Sequence, residues 1–521
     1  MTTRRCLSLT VLVLVACLSI PALAQARVLL VGRYHAVQGR YRTIQSAVNA
    51  AKPGDWILVA PGDYKESTGK HDGVQITTPR LHLRGMDRNR VIVDGSRPGG
   101  RTCDSRRHFQ DFGPRDPDTN KPGGRNGVEV FKASGDTVEN LTACNFLSGT
   151  GTTENGNEIW FNGGDGSGKI GMRGFRGAYL NATSTYFAAQ DKPMGLYGIF
   201  TSNERGPGII IHSYASNMGD SAYYFGACPL CNVTLDDGHG YHSAQGMSLS
   251  DAGAGVLITH TEFADNKMGI IPNSLNNDDG PWNQNGACRP GSRVNFGNGS
   301  CFVIEHNYIH DNNNPNVPSI GIAANAPVGT GIELSGSQFD TVFANRIQNE
   351  GAWGILVNLF PDQRKHIPSF DHCLGGTFSG GLCLYDAFGN DVRNNVFTRN
   401  GFFGNPSNGD IGEATNPHNP GNCFRGNRNT GGALTTDPAN LQQTQSRCSG
   451  LSAGDTGVLL QQGICDAELV GPCPPSQGHY PRTTNVRLLA RPRHEPNMPN
   501  PCAGVPANPW CVVVRHQRAQ R

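Results

Sequence analysis

Nine residues of this chain, Leu235-Asp-Asp-Gly-His-Gly-Tyr-His-Ser243, hold two carboxylates, two imidazoles and a phenol. Those are the groups that proton abstraction needs. A histidine beside a carboxylate is a base near neutral pH, and a tyrosine can return the proton. Alternate residues of a regular strand share a face, which predicts that Asp237, His239 and Tyr241 project together. Gly238 and Gly240 would then leave the opposite face bare for close approach of a backbone or a ligand. In that arrangement His239 or His242 is the base, Tyr241 is the proton donor, and Asp236 or Asp237 orients the histidine or binds a metal. The competing reading is a glycine-softened turn whose polar residues are merely solvated.

A second cluster, Asn276-Asn277-Asp278-Asp279, runs into Gly280-Pro281-Trp282. Asp278 and Asp279, with their amide neighbours, offer the oxygen ligands that Ca²⁺ takes, and an exposed Trp282 can stack on a sugar face. No EF-hand spacing accompanies them, so a solvated loop is the plainer alternative. Cys228-Pro-Leu-Cys231 has the spacing of a redox or metal pair. It lacks a second close pair of ligands, which favours a disulfide.

These residues sit in a repeat. Strands starting at Ile209, Val233 and Val256 are 24 and 23 residues apart, and Ala222, Gly246 and Gly269 each fall 13 residues after a start. Related copies recur at 302–313, 341–357 and 391–404, with weaker ones at 73–95 and 127–146. One such unit cannot bury its own apolar face, so the units must stack into a solenoid. β-branched and aliphatic enrichment without a helical period excludes an all-helical array, and the leucine framework of leucine-rich repeats is absent. Aligning the copies gives a polar column, Ser213, Asp237, His260, His306, Asn345 and Asn394, expected to be an inner ladder that bonds successive turns. Asn312, Asn349 and Asn400 repeat the theme at the next turn. Polar stretches at 97–126, 148–170, 273–300 and 361–382 read as loops that build a binding face.

Ahead of the repeats, Tyr41 to Glu66 (YRTIQSAVNAAKPGDWILVAPGDYKE) reads as helix, turn, apolar strand and second turn. Thr43 is placed to cap the helix, and Lys52-Pro53-Gly54-Asp55 stops it. Joined to the repeats, this order resembles the opening of right-handed parallel β-helix proteins of the pectate lyase/pectinesterase superfamily, in which a short helix plugs the end of the coil stack. The resemblance implies an all-β, right-handed single-stranded parallel β-helix with an N-terminal capping helix. It also implies action on, or binding of, long glycans, as in pectate and alginate lyases, uronate epimerases, methylesterases and polygalacturonases. Copper-maturation proteins of the periplasm share the fold. The Asp-Pro-His-Asp motif of alginate epimerases, the paired aspartates of polygalacturonases and the Arg-x-Pro pattern of pectate lyases are all absent, so no family catalytic residue carries over.

The rest of the chain sets the frame. Arg4 and Arg5, the apolar run Leu9 to Leu18 and the small residues Ala24 and Ala26 read as an export signal over residues 1–26. A lipoprotein signal at Leu14-Val15-Ala16-Cys17, with Cys17 anchored, is the minor reading. Either predicts a secreted, periplasmic or surface protein with no transmembrane segment in the mature chain. Of 16 cysteines, Cys6 and Cys17 fall in the signal, and the even remainder reads as sequential disulfides, Cys103 with Cys144 among them. Residues 27–430 are expected to form the β-helix and 431–521 a Cys- and Pro-rich C-terminal cap or tail. A formal net charge of +2, with charged residues at 17%, gives no case for nucleic acid. The partner expected is a polysaccharide, acidic if the chain is a uronate lyase or epimerase, with Ca²⁺ to neutralise the substrate carboxylate. The alternatives are a non-catalytic glycan-binding or structural surface protein, and a periplasmic accessory factor using Cys228 and Cys231 as thiols.

Overall fold

The computed structural model describes residues 26–150, 155–164, 169–188, 193–250, 252–273, 300–362, 377–379, 382–416, 421–448, 450–452, 454, 457–466 and 478–511. Each turn of the chain contributes two short strands, or one long strand bent at the corner such as Val233–Tyr241, to one long parallel sheet and a further strand to a second sheet. Val256–Thr259, Glu262–Ala264 and Met268–Asn273 form one such rung. Among the described residues the long sheet has 19 strands and the second has 11, and each strand pairs in parallel with its counterpart one rung on. This is the right-handed parallel β-helix, the hand that parallel crossovers take.

The helix Ile44–Ala50 closes the first rung. Thr43 Oγ1 accepts the Ser46 N–H at 3.3 Å, and Ile44, Ala47 and Val48 are buried in the coil. Beyond Gly54 (φ +90°) the apolar run forms the strand Trp56–Val59, paired with Val28–Val31 on one side and His82–Gly85 on the other.

Two corners shape every central rung, and each is made by a single residue in the left-handed region. His212, Asp237, His260, His306, Ala344 and Asn394 make the first corner, at φ of 48–56°. Asn217, His242, Asp265, Asp311, Asn349 and Arg399 make the second, at φ of 48–66°. Asn, Asp and His tolerate this conformation best, which explains their dominance. The residue after each corner points inward. Asn307, Asn345, Asn395 and Asn427 form a buried ladder in which each Oδ1 accepts a backbone N–H from the rung before at 3.0 Å. Behind the second corner Asn266, Asn312 and Asn400 accept through Oδ1 and Glu350 through Oε2, at 3.0–3.3 Å.

The expected polar column is therefore two columns, one residue apart. Ser213 and Asn345 are buried in the inner one, while Asp237, His260, His306 and Asn394 are the corner residues themselves and lie exposed. The left-handed residue breaks the alternation, so alignment by residue type slips by one. His260 and His306 stack outside the coil, with centroids 5.9 Å apart.

Four bridges join described residues, Cys103–Cys144, Cys228–Cys231, Cys423–Cys448 and Cys502–Cys511, all sequential pairs. At the C-terminal end the helix Val458–Asp466 lays Leu459 on Trp353, Leu356 and Ala414. Residues 478–511 then run back along the solenoid: the His479 N–H meets Asn405, the Leu489 N–H meets Asn217, and the Trp510 indole meets Val37.

Buried carboxyls make the fold pH-sensitive. Burial pushes Asp136 and Glu333 up to about 7 and Glu350 up to about 8. Each binds its proton more tightly folded than unfolded, so its penalty is absent below the unfolded value near 4 and grows as pH climbs through the folded one. Melting temperature should fall between about pH 5 and pH 8, and Glu350→Gln should flatten that fall. A flat or rising profile over this range would contradict the assignment.

Candidate functional site

The strand Val233–Tyr241 pairs with Glu204–Ser216 before it and with two short strands after it. Asp237 is its corner residue (φ 51°), and this changes which side chains share a face. Thr234 and Asp236 point outward before the corner, and His239 and Tyr241 after it. Asp237 projects from the corner instead of standing beside His239 and Tyr241. The glycines do not leave a bare outer face either. Gly238 and Gly240 are buried, and a Cβ on Gly240 would meet Phe263 Cδ1 at 2.8 Å, so their small size makes room for the core.

Register carries the outward positions across rungs. Tyr214, His239, Glu262, Tyr308 and Arg346 are successive neighbours in one column, and Ser216, Tyr241, Ala264, His310 and Gln348 in the next. Together they bring an acid/base cluster onto a flat strip between the corners. His310 Nε2 lies 2.9 Å from Glu262 Oε1, and its Nδ1 lies 2.8 Å from Asp311 Oδ2. The Tyr241 hydroxyl interacts with the same Glu262 carboxylate. The His239 and Tyr241 rings are 5.7 Å apart, Tyr308 stacks on His310 at 4.0 Å, and the Arg346 guanidinium lies 4.5 Å over the Tyr308 ring.

The electrostatics divide the roles. Burial, then the charge of Glu262, hold the Tyr241 phenol far above its ordinary range, so it remains a proton donor. The bond from His310 keeps the Glu262 carboxyl below its usual value despite partial burial. Burial opposes the charge on His310, but the bonds to Glu262 and Asp311 outweigh it and raise its pKa. Along the first corner, His212 Nδ1 meets Asp237 Oδ2 at 2.5 Å and His260 Nδ1 meets Asp236 Oδ1 at 3.0 Å. These pairs are open to solvent and so contribute little stability.

His242 is not available as a base. It is buried, with Nδ1 at 2.6 Å from Asp265 Oδ2 and Nε2 on the Arg487 carbonyl, so neither nitrogen has a free lone pair facing substrate. Cys228 and Cys231 form a buried disulfide, where a thiol-based accessory factor needs an exposed pair. Asp278, Asp279 and Trp282 lie outside the described residues. Glu262, His310 and Asp311 were missed in the sequence because they come from later rungs. Their signal was in the repeats themselves, at Thr261-Glu-Phe and Ile309-His-Asp-Asn312. Glu333 was missed too. It stands on the outer face of the second sheet, almost wholly buried, with Oε1 accepting from Asn358 Nδ2 at 2.8 Å and Oε2 without a partner.

No family model matches the chain, and no curated protein matches it. Solved structures do. The A-module of the Azotobacter vinelandii mannuronan C-5 epimerase AlgE4 is 12% identical, with a TM-score of 0.43, over 75% of this chain and 91% of that one. Pectate lyase Pel9A is 14% identical, with a TM-score of 0.39, over 90% of each chain. The tailspike of E. coli bacteriophage HK620, in complex with a pentasaccharide, is 10% identical, with a TM-score of 0.41, over 77% of this chain and 58% of that one. All are more than 85% different in sequence, and the fold rests on this chain's own strand pairing.

If Glu262 sets the charge on His310, Glu262→Gln should move the His310 titration, followed by NMR of the ring protons, to lower pH. An unmoved midpoint would refute that coupling.

Proposed function

We propose that this is an exported β-helix protein that cleaves an acidic polysaccharide by β-elimination on the outer strip of its long sheet. The observation that carries the reading is the convergence of His239, Tyr241, Glu262 and His310 on one partly open face. His239 takes the proton from the carbon beside the uronate carboxylate. Tyr241, kept protonated, gives its proton to the departing glycosidic oxygen, and the Glu262–His310–Asp311 chain orients that hydroxyl. Both groups rise from the same wall and so reach the same side of the sugar. That favours elimination over epimerisation, which needs an acid and a base on opposite faces.

Charge supports an acidic chain. Beyond the cluster, Arg346 and Arg428 are exposed on the same sheet, and Arg393 and Arg425 share the single carboxylate of Asp391. Ca²⁺ held by Asp278 and Asp279 would lower the barrier further by neutralising the carboxylate. Export agrees with the disulfides, and no described helix is long and apolar enough to cross a membrane.

A second location has its own observation. Glu333, held near neutrality with an unpartnered oxygen, is the kind of carboxyl that serves as an acid/base at pH 7. The mature protein, with and without Ca²⁺, should release unsaturated uronate products, read by ultraviolet absorbance, from one of pectate, alginate or a glycosaminoglycan. His239→Ala and Tyr241→Phe should each cost about 10²-fold or more in rate. Full activity in both, with loss in Glu333→Gln, would move the chemistry to the second sheet. Binding without product would leave a glycan-recognition protein.

A further inference from the structure

The outer strip between the two corners changes abruptly along the solenoid. Asn181 and Tyr214 occupy successive outward positions of one column, yet Asn181 is wholly buried and Tyr214 is 7% exposed. One rung beyond Tyr214, His239 and Tyr241 are half-buried, and four rungs beyond it Arg346 is exposed. The strip is roofed up to the rung before the cluster and open after it.

The roof is this chain's own C-terminal segment. Leu489 exchanges two hydrogen bonds with the Asn217 side chain, donating its N–H to Oδ1 and accepting from Nδ2, each at 2.9 Å. Glu495 is held the same way by Asn89, at 3.1 and 2.8 Å. Farther along, the Met498 N–H donates to Asn140 Oδ1 at 3.0 Å. The far end is pinned by Trp510, which is packed on Leu58, Ala60 and Met86 with its indole N–H on the Val37 carbonyl at 3.2 Å. Three asparagine amides thus grip the backbone of the strap, and the Glu495 charge is felt by both Tyr214 and Tyr241. Residues 487–498 carry Arg487, Arg491 and Arg493 against the single Glu495, so the strap ends the strip by covering it and not by repelling an acidic chain.

We propose that the strap of residues 487–498 is an end-stop that limits the strip to the terminus of a polysaccharide chain. It rests on the reading of the strip as the glycan site. A chain end sits against the strap at His239 and Tyr241, and the rest of the polymer runs out over Arg346 toward the last rungs. The protein then works from chain ends and does not cut within the polymer.

The full-length protein is tested on a long uronate polymer by following viscosity and bond cleavage together. Terminal attack predicts one small product from the first time point and little viscosity loss per bond broken. Asn89→Ala combined with Asn217→Ala should loosen the strap, remove the hydrogen-exchange protection of the Leu489 and Glu495 amides, and raise viscosity loss per bond several-fold. Asn217 also bonds the Ser184 carbonyl, so Asn89→Ala alone serves as the milder variant. Early collapse of viscosity with the wild-type protein overturns the end-stop and leaves the proposed function standing. Freed amides with an unchanged cleavage pattern also overturn it. If the protein binds without cutting, affinity counted per chain supports the end-stop and affinity counted per sugar overturns it. A protein that neither binds nor cuts any of the polymers removes the proposed function itself.

Discussion

The outward-facing groups on the central rungs of the long sheet depend on a left-handed residue held at the same place in rung after rung. An L-residue in that conformation costs roughly 1–2 kcal/mol, and the cost recurs at each corner. It is offset by what the corner permits. The next residue turns inward, and its amide bonds the backbone of the rung before, as Asn307, Asn345, Asn395 and Asn427 do in succession. Backbone groups that a bend would orphan are satisfied, and the rungs are locked in register. With register fixed, side chains two dozen or more residues apart in sequence stand about 4.8 Å apart in space. The Tyr241–Glu262–His310 chain exists for that reason.

The same corners serve a second purpose. Asn217 and His242 turn their side chains outward to the strap, the first to Leu489 and the second to the Arg487 carbonyl. The element that makes the coil also seats the segment that roofs it. The acid/base cluster lies where the roof ends, with its own polar groups bonded to one another and the His239 ring half-open beside them. The cation-rich rungs beyond give the strip a direction.

Much of this was legible in the sequence. The repeat starting at Ile209, Val233 and Val256 stated the solenoid, and the small residues Ala222, Gly246 and Gly269 marked positions where a larger side chain would strike the core. A Cβ on Gly246, for instance, would meet Phe263 Cδ1 at 2.7 Å. His239 and Tyr241 were legible as chemistry for the same reason that they stood out, since they are polar residues at outward positions of a strand. Asp237 was misplaced because pattern reading assumes unbroken alternation, and one residue at φ 51° shifts the count. His242 looked like a base because sequence does not show that a carbonyl some 245 residues away occupies its second nitrogen. The strap was illegible throughout: its backbone is gripped by other segments, so its own residues carry no period.

The central claim is that the outer strip at His239 and Tyr241 receives a glycan. A crystal structure of Tyr241→Phe with a uronate oligosaccharide tests it most directly. The expected density is a sugar ring over His239, with the chain terminus against Leu489–Glu495 and the remaining units running toward Arg346. Saccharide bound instead on the outer face of the second sheet, beside Glu333, would contradict it.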